Sequence, residues 1–156
     1  MKQFTAGLFA ALLLLADCAA AEERRADVPE EARAAVATVD RFFAALSAGD
    51  IDRAAAELDP QVIILESGGA ERSAAEYLGG HAKSDAEFLQ HAKHQPGHRI
   101  ARASGELAWV ASDNEMVIEQ DGKPVTIASA ETMVLRRSGS SWKIVHIHWS
   151  SRARKP

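Results

Sequence analysis

His146 and His148 stand two residues apart near the C-terminal end of the chain, a spacing that puts both imidazoles on one face of an extended segment. Whether an acid meets them is set by the hairpins upstream. Asp121-Gly122 read as a two-residue loop sets Gln120 opposite Lys123, and counting outward pairs Val110 with Met133 and Ser112 with Glu131. The next loop, about Gly139-Ser140, then pairs Leu135 with Ile144, Met133 with His146 and Glu131 with His148. A carboxylate across from an imidazole is an acid/base pair, able to orient His148 for removing a proton beside a carbonyl. The same trio, His146, His148 and Glu131, also has the donor set of a three-ligand metal site. The plain alternative is a pair of hydrogen-bonded histidines that line a wall and bind nothing.

Other candidates lie upstream. Glu66 ends an apolar strand on the face of Val62 and Ile64, and His81 and Asp85 stand four apart on a helix, within contact distance of each other. With His146, Ser112, Met133, Ile144 and Val110 they make the expected pocket wall, mostly apolar with a few convergent polar groups. As a local surface pair, His81 and Asp85 would have no role. His91, His94 and His98 read as a solvated helix end beyond which Pro96-Gly97 breaks the geometry. No phosphate-binding glycine loop, no Gly-x-Ser-x-Gly and no His-Glu-x-x-His is present in the sequence, and no cofactor is expected.

The elements that must position these residues follow from periodicity. Asp27 and Glu30 form a capping box with Pro29 in the first turn. The helix that follows carries Ala35, Val39, Phe42 and Leu46 on one stripe and stops at Gly49. Asp50 caps a second helix ended by Pro60, 62–66 is a strand closed by Gly68-Gly69, and Ser73 with Glu76 opens a third helix to about residue 93. Thereafter the period is two, with strands at about 98–104, 107–119, 123–137 and 141–151. Helices followed by a meander predict an α+β fold, three helices on one face of a curved antiparallel sheet. The opposite face, with Trp109, Val134, Val145, Ile147 and Trp149, is too apolar to leave wet and predicts a homodimer.

The chain of 156 residues, 47% hydrophobic, fits one domain, and 18 basic against 22 acidic residues, scattered, offer no field for nucleic acid. Residues 1–21 have the charged start, apolar run and Ala19-Ala20-Ala21 exit of a signal peptide, too short to span a bilayer, so the mature protein is expected in the periplasm or medium. Leu15-Ala16-Asp17-Cys18 offers lipid anchoring through Cys18 as the alternative, against which Asp17 argues. The expected division is signal peptide 1–21, linker 22–29, domain 30–151 and basic tail 152–156.

Leu46-Ser47-Ala48-Gly49-Asp50-Ile51-Asp52-Arg53-Ala54, the strand end Glu66-Ser67-Gly68-Gly69 and the closing Trp142-Lys143-Ile144-Val145-His146-Ile147-His148-Trp149-Ser150 together resemble the nuclear transport factor 2-like superfamily in its SnoaL-like branch. The resemblance spans about residues 30–151. It implies a cone of three helices against a bent sheet around a deep cavity, commonly a dimer packed through sheet surfaces. Enzymes among such proteins are isomerases, dehydratases and cyclases; others bind or assemble. Three functions therefore stand open: a carrier of a small hydrophobic molecule, an acid/base enzyme using His148 and Glu131, and an assembly module with a filled core.

Overall fold

The computed structural model describes residues 26–154, so the expected export segment, most of the linker and the last two residues of the tail lie outside the described residues. The first expectation to change is the capping box. Ala26–Asp27 forms a short strand, β1, parallel to β4 (Lys93–Ser104), and the Asp27 carboxylate is held by the Arg102 guanidinium at 2.7 Å instead of capping a helix. Both carboxylate oxygens accept from the guanidinium, a paired contact between two ionised groups that a single amide at a cap does not match. A 3-10 turn at Glu30–Ala32 leads into α1, Arg33–Ser47, which buries Ala35, Val39, Phe42 and Leu46 as its stripe requires. Gly49, at φ +71°, ends it. The Asp50 carboxylate accepts the Arg53 amide at 3.1 Å and starts α2, Ile51–Glu57.

The chain then extends as β2, Leu58–Glu66, and turns back at Ser67-Gly68 into the short β3, Gly69–Glu71. Pro60, which lacks an N–H, falls in the stretch of β2 between Leu58 and Ile63 where the ladder is irregular. Ser73 accepts the Glu76 amide at 3.1 Å and opens α3, Ala74–Gly79, as its cap predicts. The helix expected to run on to about residue 93 breaks at Gly79-Gly80, two adjacent residues that each weaken helix propagation, and resumes as α4, Ala82–His91.

β5 (Leu107–Gln120), β6 (Lys123–Ser138) and β7 (Ser141–Ala153) complete the meander with β4. One seven-stranded sheet results, ordered β1-β4-β5-β6-β7-β2-β3. It is antiparallel except where β1 joins β4 and β2 joins β7. Asp121 and Gly122, both at positive φ, give the β5/β6 hairpin the register read from sequence, Gln120 against Lys123 and Ser112 against Glu131.

The β6/β7 register does not continue as expected. Leu135 pairs with Ile144, but a bulge at Val145 follows, so Val134 faces His146, Met133 faces Ile147, Thr132 faces His148 and Glu131 faces Trp149. Without the bulge two imidazoles would be buried and an isoleucine and a tryptophan exposed. Burying large apolar side chains stabilises by roughly 1.5–3 kcal/mol each, while a buried imidazole needs a partner, so the extra residue resolves the conflict.

Inward positions consequently line up in cross-strand rows. The deepest of interest, Ala101–Val110–Met133–Ile147–Ile64, is sealed, no member being more than 1% exposed. Above it runs Arg99–Ser112–Glu131–Trp149–Glu66, a polar row crossing five strands. Next comes Asn114–Ser129–Ser151, neutral hydrogen-bonding groups, and then His94–Met116–Ile127–Ala153. Among the described residues no helix is long and apolar enough to cross a membrane.

Candidate functional site

A cavity of about 430 Å³ opens between the helices and the sheet, over the polar row. α1 contributes Asp40, Phe43 and Leu46, and α4 contributes Asp85, Phe88 and Leu89. The floor is Glu66, Trp149, Glu131, Ser112 and Arg99, with Asn114, Ser129 and Ser151 beside it. Trp149 stacks on Phe42 at 6.3 Å between ring centres and lies 6.2 Å from the Tyr77 ring and 6.4 Å from Phe43, so its indole is wedged under the helices. A bulge in β4 shapes the mouth: Pro96 pairs with Asn114 and Arg99 with Ser112, and the intervening His98 amide donates to the Asp113 carboxylate at 3.1 Å.

Polarity is distributed unevenly. At one end the Arg99 guanidinium donates to Asp40 at 2.6 Å and to the Ser112 hydroxyl at 3.1 Å, so its charge is already engaged. Beside it Glu131 is 7% exposed, and burial pushes its carboxyl above the ordinary range. The Arg99 charge and donors on Ser112 and Trp149 pull the other way. At the other end the Tyr77 hydroxyl donates to Asp85 at 2.9 Å. Burial raises Asp85, with the Tyr77 bond opposing, and raises Glu66, which the nearby Asp85 charge lifts further. The Tyr77 hydroxyl is pushed up too, by burial and by Asp85, and stays a donor. Outside this end His81 bonds Glu71, which raises the imidazole's affinity for a proton. Burial, then Arg99, lowers His94 at the mouth.

The sequence-derived site divides on this geometry. Glu131, Ser112, Glu66 and Asp85 reach the cavity. Val110, Met133 and Ile144 lie below it in the sealed core, and His81, with its side chain 66% exposed, bonds Glu71 at the surface and does not line the cavity, although its charge acts on Glu66 and Asp85. His146 and His148 are corrected outright: the Val145 bulge turns them to the outer face, where the His146 ring nitrogen meets the Ile63 carbonyl at 2.9 Å. Neither the His148–Glu131 dyad nor a His146–His148–Glu131 metal set exists, and no metal-holding cluster of three such groups occurs among the described residues. Ile147 and Trp149, expected on an outer face, are inside. The reading missed Arg99, Asn114, Tyr77 and Trp149. Arg99 has a visible signal, a charged residue on the inward parity of an otherwise apolar strand segment, Arg99, Ala101, Ala103, and Trp149 has one in the change of apolar parity along β7.

The family model of the SnoaL-like domain matches residues 35–154. The chain belongs to the SnoaL-like domain family. As a SnoaL-like protein it shares its cone with many solved structures. A candidate ketosteroid isomerase from Shewanella frigidimarina NCIMB 400 is 31% identical, with 75% of this chain and 94% of that one covered and a TM-score of 0.69. An NTF2-like protein with a cystatin-like fold from Novosphingobium aromaticivorans covers 96% of this chain and 91% of its own, at 14% identity and TM-score 0.65. A candidate calcium/calmodulin-dependent protein kinase II association domain from Xanthomonas campestris, 22% identical, covers 82% and 94% at TM-score 0.67. The last two likenesses are of fold alone. No curated protein matches the chain.

Proposed function

We propose that this SnoaL-like protein binds a small, mainly apolar molecule in its cone, positioned by the polar row of the floor. The observation that carries the reading is the row order: a cavity of about 430 Å³ whose polar floor rests on a fully sealed apolar row. A filled assembly core has no use for Glu131 or for the Arg99–Ser112 bond on the floor of a cavity. Native mass spectrometry of protein purified from its own host tests this. A retained small molecule, released by Trp149→Arg, is expected. An empty protein that also fails to take up any apolar dye would refute it.

A second reading is favoured by one feature. Glu66 and Asp85 share a mostly apolar cavity in which burial raises both, and Tyr77 orients one of them. Carboxyls tuned upward in that way suit proton transfer beside a carbonyl. The Shewanella relative's description as a candidate ketosteroid isomerase points to the same chemistry. Conversion of an unconjugated ketosteroid to its conjugated isomer, followed by enone absorbance, should be lost in Asp85→Asn. No turnover in the wild type removes the reading.

Two further elements of the proposal concern assembly and location. The outer face exposes Ile63, Leu65, Leu107 and Trp109, a patch suited to a second copy of the chain. Trp109→Lys should give monomer in sedimentation, and a monomeric wild type would count against the dimer. Export through residues 1–21, leaving Glu22 first, is read by intact mass; a diacylglyceryl Cys18 would mean an anchored protein instead.

A further inference from the structure

The cavity's polar groups are out of balance, and the imbalance states what its occupant must bring. Five carboxyl side chains line it, Asp40, Glu66, Asp85, Asp113 and Glu131, against the guanidinium of Arg99 and the imidazoles of His94 and His98 at the mouth, of which burial favours the neutral form of His94. That guanidinium is bound to Asp40. Glu66, Asp85 and Glu131 form no salt bridge among the described residues. An independent observation has the same sense: the Oδ1 of Asn114, in the row above, is buried without a hydrogen-bond partner among the described residues. An acceptor without a donor is costly to bury, so the neutral row is short of a donor at Asn114 as the charged row is at its carboxylates. The walls add aromatic faces, Phe43, Phe88 and Trp149, which favour a cation over an anion.

We propose that the cavity selects an organic ammonium, a ring-bodied amine protonated at neutral pH, with its N–H donors on Glu66 and Asp85 and its apolar body against the helices. An ammonium carries donors and no acceptor, which is the complement of this lining. Glu66 and Asp85 are the counter-ions because Glu131 already has Ser112, Trp149 and Arg99 beside it, whereas Asp85 has Tyr77 alone as a donor. A free carboxylate or phosphate is rejected by the same groups.

The inference rests on the cavity-binding reading and goes beyond it to the ligand's charge. The charge has a signature of opposite sign to that of a neutral carbonyl ligand. A ketone needs the cavity carboxyls protonated and binds more weakly as pH rises, whereas an ammonium needs them ionised and binds more tightly. The test is calorimetric titration of the full mature protein with 2-naphthylmethylamine, 2-acetylnaphthalene and 2-naphthoate. The amine should bind about tenfold or more tighter than the ketone, a difference of about 1.4 kcal/mol. Its affinity should rise with pH through the range in which the carboxyls, raised by burial, ionise, with protons released to the buffer. The double variant Glu66→Gln, Asp85→Asn should close the preference for amine over ketone. A ketone that binds as tightly as the amine, or a preference untouched by the double variant, overturns the ammonium and leaves the binding cone standing. Failure of all three probes to bind a folded wild type overturns both.

Discussion

Replacing Ile147 by alanine, with His148→Ala as its partner experiment, decides which residues of β7 face inward, and every assignment at the site depends on that. Ile147 is fully buried between Met133 and Ile64 in the sealed row, while His148 is exposed on the outer face. Ile→Ala deletes three carbons, which at about 0.8 kcal/mol per methylene forfeits roughly 2.4 kcal/mol of transfer energy. The neighbours Met133 and Ile64 are pinned in the sheet and cannot close the void, so a cavity penalty brings the total to about 3–4 kcal/mol. For a domain of this size the midpoint should fall by roughly 10–15 °C. His148→Ala, on the surface, should stay within about 0.5 kcal/mol. Urea unfolding followed by tryptophan fluorescence, with the slope checked for constancy, measures both. A costly His148→Ala beside a cheap Ile147→Ala would restore the bulge-free register and refute the polar row as drawn.

Gly97→Ala should destabilise by about 1–3 kcal/mol, since an added methyl would stand 2.5 Å from the Asp113 backbone oxygen, which cannot yield as a side chain would; thermal unfolding reads it. Tyr77→Phe should raise the Asp85 carboxyl further by removing the bond that favours its anion, visible in a carbon-detected NMR titration, and an unmoved Asp85 would mean the bond is absent in solution. Glu66, Asp85 and Glu131 have folded values raised by burial, so the stability they contribute is complete below their unfolded values and is lost as pH rises through the folded ones. Glu131→Gln should therefore gain stability relative to wild type near neutrality, a gain that vanishes toward pH values below the ordinary carboxylate range, about 4. A gain that persists undiminished in acid would assign it to packing rather than charge. Asp27, held low chiefly by its bond to Arg102, and Asp59, chiefly by the Gln61 amide, have the opposite sign, their contributions being present above the unfolded value and lost as pH falls through the folded one.

What could be read in advance was whatever local chemistry fixes. Asp121-Gly122 admits one tight turn, so the β5/β6 register and the inward places of Ser112 and Glu131 followed from counting. Asp50 and Ser73 cap as their side chains require. β7 failed because counting assumed an unbroken period of two, yet its apolar residues sit on both parities, Trp142 and Ile144 on one and Val145, Ile147 and Trp149 on the other. That switch of parity between Ile144 and Val145 is the mark of the bulge in the sequence. The Asp27 cap failed to a distant competitor, Arg102, that no local pattern announces. The parallel joining of β2 to β7 was likewise invisible, and with it the fact that Glu66 stands beside Trp149.

That joining also governs when the cavity can exist during synthesis. β2 leaves the ribosome some eighty residues before its neighbour β7, as the pairing of Ile63 with His146 records. Until β7 arrives, the β2/β3 hairpin has no strand to join, and the indole that wedges beneath Phe42 and Tyr77 is missing. Closure of a loop that long must precede the contacts between β2 and β7 that reward it. The β2/β3 arm, and with it Glu66 on the cavity floor, can take its place in the sheet only after the final strand is made.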